Sequence, residues 1–271
     1  MALGAEFHLY GDDFDREAVA RWFAEEAAYH DQFAQGRFDE HPALYRAFDW
    51  EIGLKGLFAP RPEDRVLDFG CAEGEALAPL VARFGFQYVG VDASQALLEE
   101  ARRRHPQAAF RRMGEDGRIP AEDGEFSYVV VLGVLHHVPT VRQYLRELIR
   151  VLAPGGRLFL REPNHAMGRP PGSHLAIPGI SPNERGIPAE YLVRELRGQG
   201  MRILRVRPAY HGALLWWLRH QAPASEWPGW PWLARLDRLL CALDRRPHPY
   251  LRRRWWEKAA PTATYVVAEK P

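Results

Sequence analysis

The sequence predicts an α/β fold: a doubly wound sheet, preceded by an N-terminal helical cap and interrupted near its end by a C-terminal helical insertion. Three observations point there. Short β-rich runs alternate with stretches of helical spacing from Arg65 to Val206. One run, Tyr128 to Leu132, is continuously apolar, as expected of a strand buried on both faces. The run Val66-Leu67-Asp68-Phe69 passes directly into the glycine turn Gly70-Cys71-Ala72-Glu73-Gly74 before the next helical stretch.

Residues 1–60 are expected to form the cap. Residues 14–35 read as a helix that Asp13 or Asp15 can cap, with Val19, Trp22, Phe23, Glu26, Tyr29, His30 and Phe33 at helical spacing. A second helix is expected from Pro42 to Phe58. Ala59-Pro60-Arg61-Pro62 stops it, because proline removes a backbone donor and restricts the residue before it. Residues 61–271 are expected to form the core. Strands are predicted at Arg65–Phe69, Tyr88–Asp92, Tyr128–Leu132 and Arg157–Arg161, with helices at Glu75–Phe84, Ser94–Arg104 and Val141–Leu152 between them. Such alternation implies parallel strands joined by right-handed crossovers. Residues 163–188 carry six prolines and read as a long irregular loop, a type that is usually functional. A helix at Pro188–Gly198, a strand at Arg202–Arg207, the insertion at about 213–262 and a last strand at Thr264–Ala268 complete the chain.

Composition narrows the function. The chain has 271 residues, 46% hydrophobic and 26% charged, which is globular. Lys+Arg number 36 against Asp+Glu 35, so a nucleic-acid partner is disfavoured. Cys71 and Cys241 cannot build a disulfide framework or a four-thiolate zinc site, which points to a reducing, cytoplasmic setting. No run approaches the roughly 20 apolar residues of a membrane span, and residues 1–13 lack the features of a signal peptide.

Small residues in the glycine turn let a ligand approach the backbone, and amides at a helix start favour a ligand bearing oxygens. A tight turn that binds nothing is the alternative. Asp68, just before the glycines, would repel a pyrophosphate and suits a cationic group instead. Asp92 ends the next strand, where a carboxylate can accept both ribose hydroxyls. The pair asks for a ligand with a ribose, an amine and no pyrophosphate, and S-adenosylmethionine (SAM) fits.

Val66 to Gly74, Asp92, Gly114-Glu115-Asp116, Val134-Leu135-His136-His137-Val138 and Leu145 to Pro163 are together similar to the successive motifs of class I SAM-dependent methyltransferases. The likeness is to the small-molecule branch that includes ubiquinone, sterol and sugar methyltransferases. It covers roughly Arg65 to Val206 and implies a Rossmann-like methyltransferase sheet. It further implies that Asp68, Gly70, Cys71, Ala72 and Gly74 line the methionine part of SAM. Asp92 would hold the ribose, with Ala93 beside the adenine. Glu115 and Asp116 would meet the adenine edge, or form a solvated acidic loop. Leu132 and Gly133 would contact the methionyl part, and Tyr29 would approach SAM from the cap. Ala72, Ser127 and Leu132 depart from the family pattern, which usually has glycine, aspartate and a polar residue there.

Methyl transfer from a sulfonium is an in-line displacement, so the protein mainly positions the acceptor and excludes water. A base is needed when the acceptor is a neutral hydroxyl. His136 at the end of the fourth strand is the candidate, with Glu162 orienting it. The alternative is that His136 and His137 only pack or cap. No His/Asp/Glu cluster stands at ligand spacing along the chain, so no metal is expected. His211 and His220 are secondary candidates. Seven of the nine tryptophans fall between Trp216 and Trp256, beside several arginines. This segment reads as a packed cap, as the wall of a bulky apolar acceptor site, or as a peripheral membrane contact. The expected activity is methylation of a small-molecule acceptor at oxygen: a natural product, sugar or lipid-like compound. An RNA or protein methyltransferase and a non-catalytic SAM-binding partner protein are the other readings.

Overall fold

The computed structural model describes residues 14–33, 43–114, 117–166, 183–221, 227–244, 249–252 and 254–271. Its strands are β1 (Arg65–Phe69), β2 (Gln87–Asp92), β3 (Ala109–Arg112), β4 (Phe126–Leu132), β5 (Leu152–Pro163), β6 (Arg202–His211) and β7 (Pro261–Glu269). They form one sheet in the order β3-β2-β1-β4-β5-β7-β6. The helices are α1 (Arg16–Phe33), α2 (Ala43–Phe48), α3 (Ala78–Phe84), α4 (Gln95–Arg104), α5 (Val141–Val151), α6 (Ala189–Gly198), α7 (Gly212–Gln221) and α8 (Pro231–Leu243). Among the site residues named above, Glu115 and Asp116 lie outside the described residues, as does the side chain of Tyr29 on α1.

Alternation along β1 explains the layers. Leu67 and Phe69 enter a core with Val129, Val131, Leu145, Leu148 and Leu192, beneath α5 and α6. Val66 enters the opposite core, with Tyr88, Val130, Phe159 and Leu77. Both faces of the central strands are therefore covered, which is why they read as continuous apolar runs. A third cluster unites Leu44, Phe48, Ile52, Leu214, Leu218, Trp227, Leu233 and Tyr265 at the β6–β7 end.

Four features depart from the sequence reading. β7 runs antiparallel to both its neighbours, with Val266 opposite Leu160 and Val206. An antiparallel strand needs no helical crossover, so the alternation rule does not reach it. The edge strand β3 has only four residues, half of them arginine, and carries no alternation to reveal it. Residues 75–77 are turn, and α3 starts at Ala78. The expected second helix ends at Phe48 and continues as a wider π-helical turn over Asp49–Leu54.

The insertion is anchored to the sheet. Tyr210, near the end of β6, sits in the left-handed region at φ 59. Its N–H and that of His211 donate to the buried Asp237 carboxylate on α8, at 2.9 and 2.6 Å. Burial pushes the Asp237 carboxyl up to about 6 against these two bonds. Of the insertion's tryptophans, Trp227 is fully buried, whereas Trp216, Trp217, Trp230, Trp232 and Trp256 are exposed.

Candidate active site

The glycine turn forms at the C-terminal end of β1, beside the same end of β2 and β4, where α/β folds place their ligands. Gly70 has φ +73, and a Cβ there would lie 2.3 Å from Val134 Cγ2, so no side chain fits. Ala72 adopts φ 45, a left-handed conformation that costs a non-glycine residue roughly 1–2 kcal/mol. The turn amides do not point outward as the sequence suggests. Those of Gly70 and Cys71 donate to the Val91 carbonyl at 2.7 and 3.1 Å, and that of Gly74 to Cys71 at 2.8 Å. The Ala72 N–H donates to Asp92 Oδ2 at 2.9 Å. The turn is a shaped cradle rather than a nest of open amides. Cys71 Sγ lies over Gly90, where a Cβ would come within 2.7 Å of it. Burial, then the charges of Asp68 and Asp92, pushes this thiol far up, so it packs and does not react.

Asp68 is buried and accepts a hydrogen bond from the Tyr88 hydroxyl at 2.9 Å. Burial, opposed by that bond and reinforced by Asp92 and Asp49, raises its carboxyl to about 7. A cationic group brought beside it would restore the ionised form. Asp92 does more than await a ribose. Its two oxygens brace the Ala72 and Ser94 amides and so tie the β1 turn to the start of α4. Ala93 is exposed at that bend.

Leu132 and Gly133 close the cradle from β4. Gly133 has φ +77, and its N–H donates to the Arg161 carbonyl at 2.7 Å. A Cβ on Gly133 would stand 3.4 Å from Arg161 Nη2 and 3.5 Å from His136 Cε1. Gly133 is thus packed between a guanidinium and an imidazole. The Arg161 guanidinium donates to the Leu132 carbonyl and the Tyr210 hydroxyl, both at 3.0 Å, and lies 3.6 Å from Asp49. The Tyr265 hydroxyl donates to Asp49 at 2.7 Å.

Glu162 is fully buried within β5. Its carboxylate accepts from the amides of Val134 (3.0 Å), Leu135 (2.8 Å) and His136 (3.3 Å), and from His136 Nδ1 at 2.8 Å. It therefore holds both the loop after β4 and the imidazole. His136 Nε2 meets Glu184 at 3.5 Å. Burial lowers the His136 pKa, but the bonds and charges of Glu162 and Glu184 outweigh it and raise it to about 9. The neighbouring His137 is lowered, by burial and by His136, against the pull of Glu26, which meets its Nδ1 at 3.0 Å. Trp22 on α1 donates to the His137 carbonyl at 2.7 Å, and Arg185 lies over the Trp22 ring while donating to Val138. The N-terminal helix and the 183–188 segment thus close together over the His136–Val138 stretch.

The structure brings Asp68, Gly70, Cys71, Ala72, Gly74, Asp92, Leu132, Gly133, His136 and Glu162 to one edge of the sheet. It places His211 against Asp244, and His220 against the Trp216 carbonyl of its own helix. The sequence reading missed Glu26, Asp49, Arg161 and Glu184. Arg161 carried a signal, as a charge that directly follows the apolar run Leu158-Phe159-Leu160 within one strand. Glu184 also changes the metal reading. Chain spacing showed no ligand cluster, but the fold carries Glu184 up to His136 and His137, with one ligand atom of each within 4.8 Å of the others.

A glycine cradle flanked by two acids, at the carboxyl ends of a 3-2-1-4-5-7-6 sheet, defines the class: an α/β protein with the fold of SAM-dependent methyltransferases. The residues present fit SAM, since a turn of small residues follows β1 and carboxylates stand at the ends of β1 and β2, Asp68 and Asp92. Residues 14–240 match the methyltransferase domain family, and the chain belongs to it. It is 32% identical over 161 residues to the ubiquinone biosynthesis O-methyltransferase of Xanthomonas oryzae pv. oryzae, covering 58% of this chain and 61% of that one. Over 113 residues it is 35% identical to the demethylmenaquinone methyltransferase of Beutenbergia cavernae, covering 42% and 46%. The chain thus spans about half the length of these curated relatives. A SAM-dependent methyltransferase from Aquifex aeolicus shares the fold, with TM-score 0.52 and 16% identity over 86% of this chain and 95% of that one.

Proposed function

We propose that this protein methylates an oxygen of a small-molecule acceptor, with His136 receiving the acceptor's proton and Glu162 holding the imidazole. SAM, when bound, supplies an activated methyl group on a sulfonium. Asp68 faces its ammonium, Asp92 its ribose and Ala93 its adenine, while Gly70, Gly74, Leu132 and Gly133 shape the surface it lies on. The observation that carries the reading is the buried His136–Glu162 pair, Nδ1 to carboxylate at 2.8 Å, with the His136 ring packed beside Gly133 at the end of β4. With Nδ1 fixed, Nε2 is the nitrogen that accepts a proton. An acceptor hydroxyl takes the place of Glu184 there, and this removes one of the two carboxylates that keep the ring protonated. Relatives named for ubiquinone biosynthesis O-methylation favour oxygen and a hydroxyl on an apolar body.

The test is His136→Ala, assayed with labelled SAM across hydroxylated aromatic and isoprenoid acceptors. Turnover should fall by about 10²–10⁴. Calorimetry with S-adenosylhomocysteine should change little. Unchanged turnover would remove His136 as the base.

A specific surface feature supports a lipid-water interface as the place of action. On α8, Trp232, Leu239 and Leu243 are exposed, Leu243 to 69%, and Trp216 on α7 is 64% exposed. A shallow groove of about 440 Å³ beside them is lined by Arg207, Arg235 and Arg238. Apolar rings with flanking arginines suit an in-plane contact with anionic lipid. No helix among the described residues is long and apolar enough to cross a membrane. Co-sedimentation with phosphatidylglycerol vesicles, lost on Trp232→Ser with Leu239→Ser, tests this; equal sedimentation of the variant refutes it.

A further inference from the structure

We propose that His136, His137 and Glu184 form a binding site for a first-row divalent transition-metal ion of the zinc type. The first support is geometric. The three ligand atoms lie within 4.8 Å of one another, and His136 Nε2 and Glu184 Oε1 are already 3.5 Å apart. That is the edge of a tetrahedral shell whose arms are about 2.1 Å, the usual zinc–nitrogen and zinc–oxygen distance. A modest approach of His137 completes three corners and leaves the fourth open.

The second support is the outer shell. Metal-binding histidines characteristically donate their other ring N–H to a carboxylate, which fixes ring orientation and raises ligand basicity. Both rings do so here: His136 Nδ1 meets Glu162 at 2.8 Å and His137 Nδ1 meets Glu26 at 3.0 Å. Two adjacent imidazoles are each held at Nδ1 by a separate buried carboxylate, and His136 turns its Nε2 to Glu184, within 4.8 Å of a ring nitrogen of His137. Packing or capping histidines do not require such a paired arrangement.

The third support is charge. Glu26, Glu162 and Glu184 surround the two rings, and Arg185 is a cation near them, 3.5 Å from the His136 carbonyl. Three carboxylates thus face the two imidazoles in a buried setting, where charge must be compensated. A divalent ion would contribute to that compensation. Two imidazoles and one carboxylate suit zinc, iron, nickel or copper rather than magnesium or calcium.

Occupancy has a consequence that rests on the base reading above, although the site itself does not. The ion would take Nε2 of His136, the nitrogen assigned to the acceptor's proton. Metal binding and general-base action then exclude each other, and a filled site switches off the transfer.

Chelator-treated full-length protein titrated with zinc by calorimetry should bind one equivalent at micromolar or tighter affinity. Glu184→Gln and His137→Gln should each weaken binding by more than about tenfold, and Glu26→Gln by about 10–100-fold, as for loss of an outer-shell partner. Cobalt in place of zinc should give the intense visible absorption of a tetrahedral centre. S-adenosylhomocysteine binding, measured on the same samples, reports on the cofactor reading separately: zinc without cofactor binding sinks that reading and leaves the metal site standing. Zinc affinity equal in the wild type and all three variants, or a weak octahedral cobalt spectrum, overturns the proposal. The cobalt spectrum of the wild type decides alone should the variants fail to fold.

Discussion

Replacing Glu162 by glutamine tests whether a buried carboxylate organises the loop after β4. The carboxylate accepts four hydrogen bonds, three from successive backbone amides and one from His136 Nδ1. Glutamine preserves the shape but has a single acceptor oxygen. If that oxygen takes the position of Oε1, the Val134 and Leu135 bonds survive. Its amide then faces the His136 N–H and Nδ1–H, donor against donor. Each hydrogen bond to a charged group contributes about 1.5–3 kcal/mol, and breaking a buried pair costs about 3–5 kcal/mol. We therefore expect Glu162→Gln to lose about 3–5 kcal/mol, a large share of the usual 5–15 kcal/mol of total stability. At roughly 2–4 °C per kcal/mol for a chain of this size, Tm falls by about 10 °C. Thermal melts followed by circular dichroism, with urea titration where unfolding is reversible, measure it. A melt within about 2 °C of wild type would refute the reasoning, because no buried acceptor of four bonds could be exchanged so cheaply.

Three further outcomes follow from the turn. Ala72→Gly relieves a left-handed Cβ and, net of glycine's backbone entropy, should raise Tm by about 1–3 °C in the same melts; a lower Tm means the strain is absent. Gly70→Ala should destabilise by about 2–4 kcal/mol through φ +73 and the Val134 clash, and Val134→Ala should recover only the steric part in a double-mutant cycle. Asp68, with its carboxyl at about 7 against the ordinary 3.8, holds a proton in the folded state that the unfolded chain releases earlier. Stability should therefore fall as pH rises from about 4 to 7, and Asp68→Asn should flatten that slope in melts across the range. A slope unchanged in the variant would assign it to other groups.

The cradle was legible because its parts are local. Asp68, Gly70 and Gly74 stand within one strand–turn–helix, and Asp92 ends the strand that follows. His136 was legible for the same reason, as part of the segment just after an apolar strand. What surrounds it was not. Glu26 arrives from α1 and Glu184 from the proline-rich connection, and no periodicity links an acid there to a histidine more than forty residues away. The π-helical turn that carries Asp49 to Arg161 is also invisible, since its residues satisfy ordinary helical spacing. β7 escaped for a different reason: apolar alternation identifies a strand without giving its direction.

Asp237 reaches from α8 to hold Tyr210 in a conformation that few side chains tolerate, and Tyr210 in turn supports Arg161 above Gly133. The insertion and the sheet are thereby mechanically coupled. A chimera that swaps residues 213–262 for a relative's segment without an equivalent carboxylate would release Tyr210 and misplace the Arg161 guanidinium. Changes on the outward side of α8 should leave this coupling intact, whereas exchange of the whole module would not.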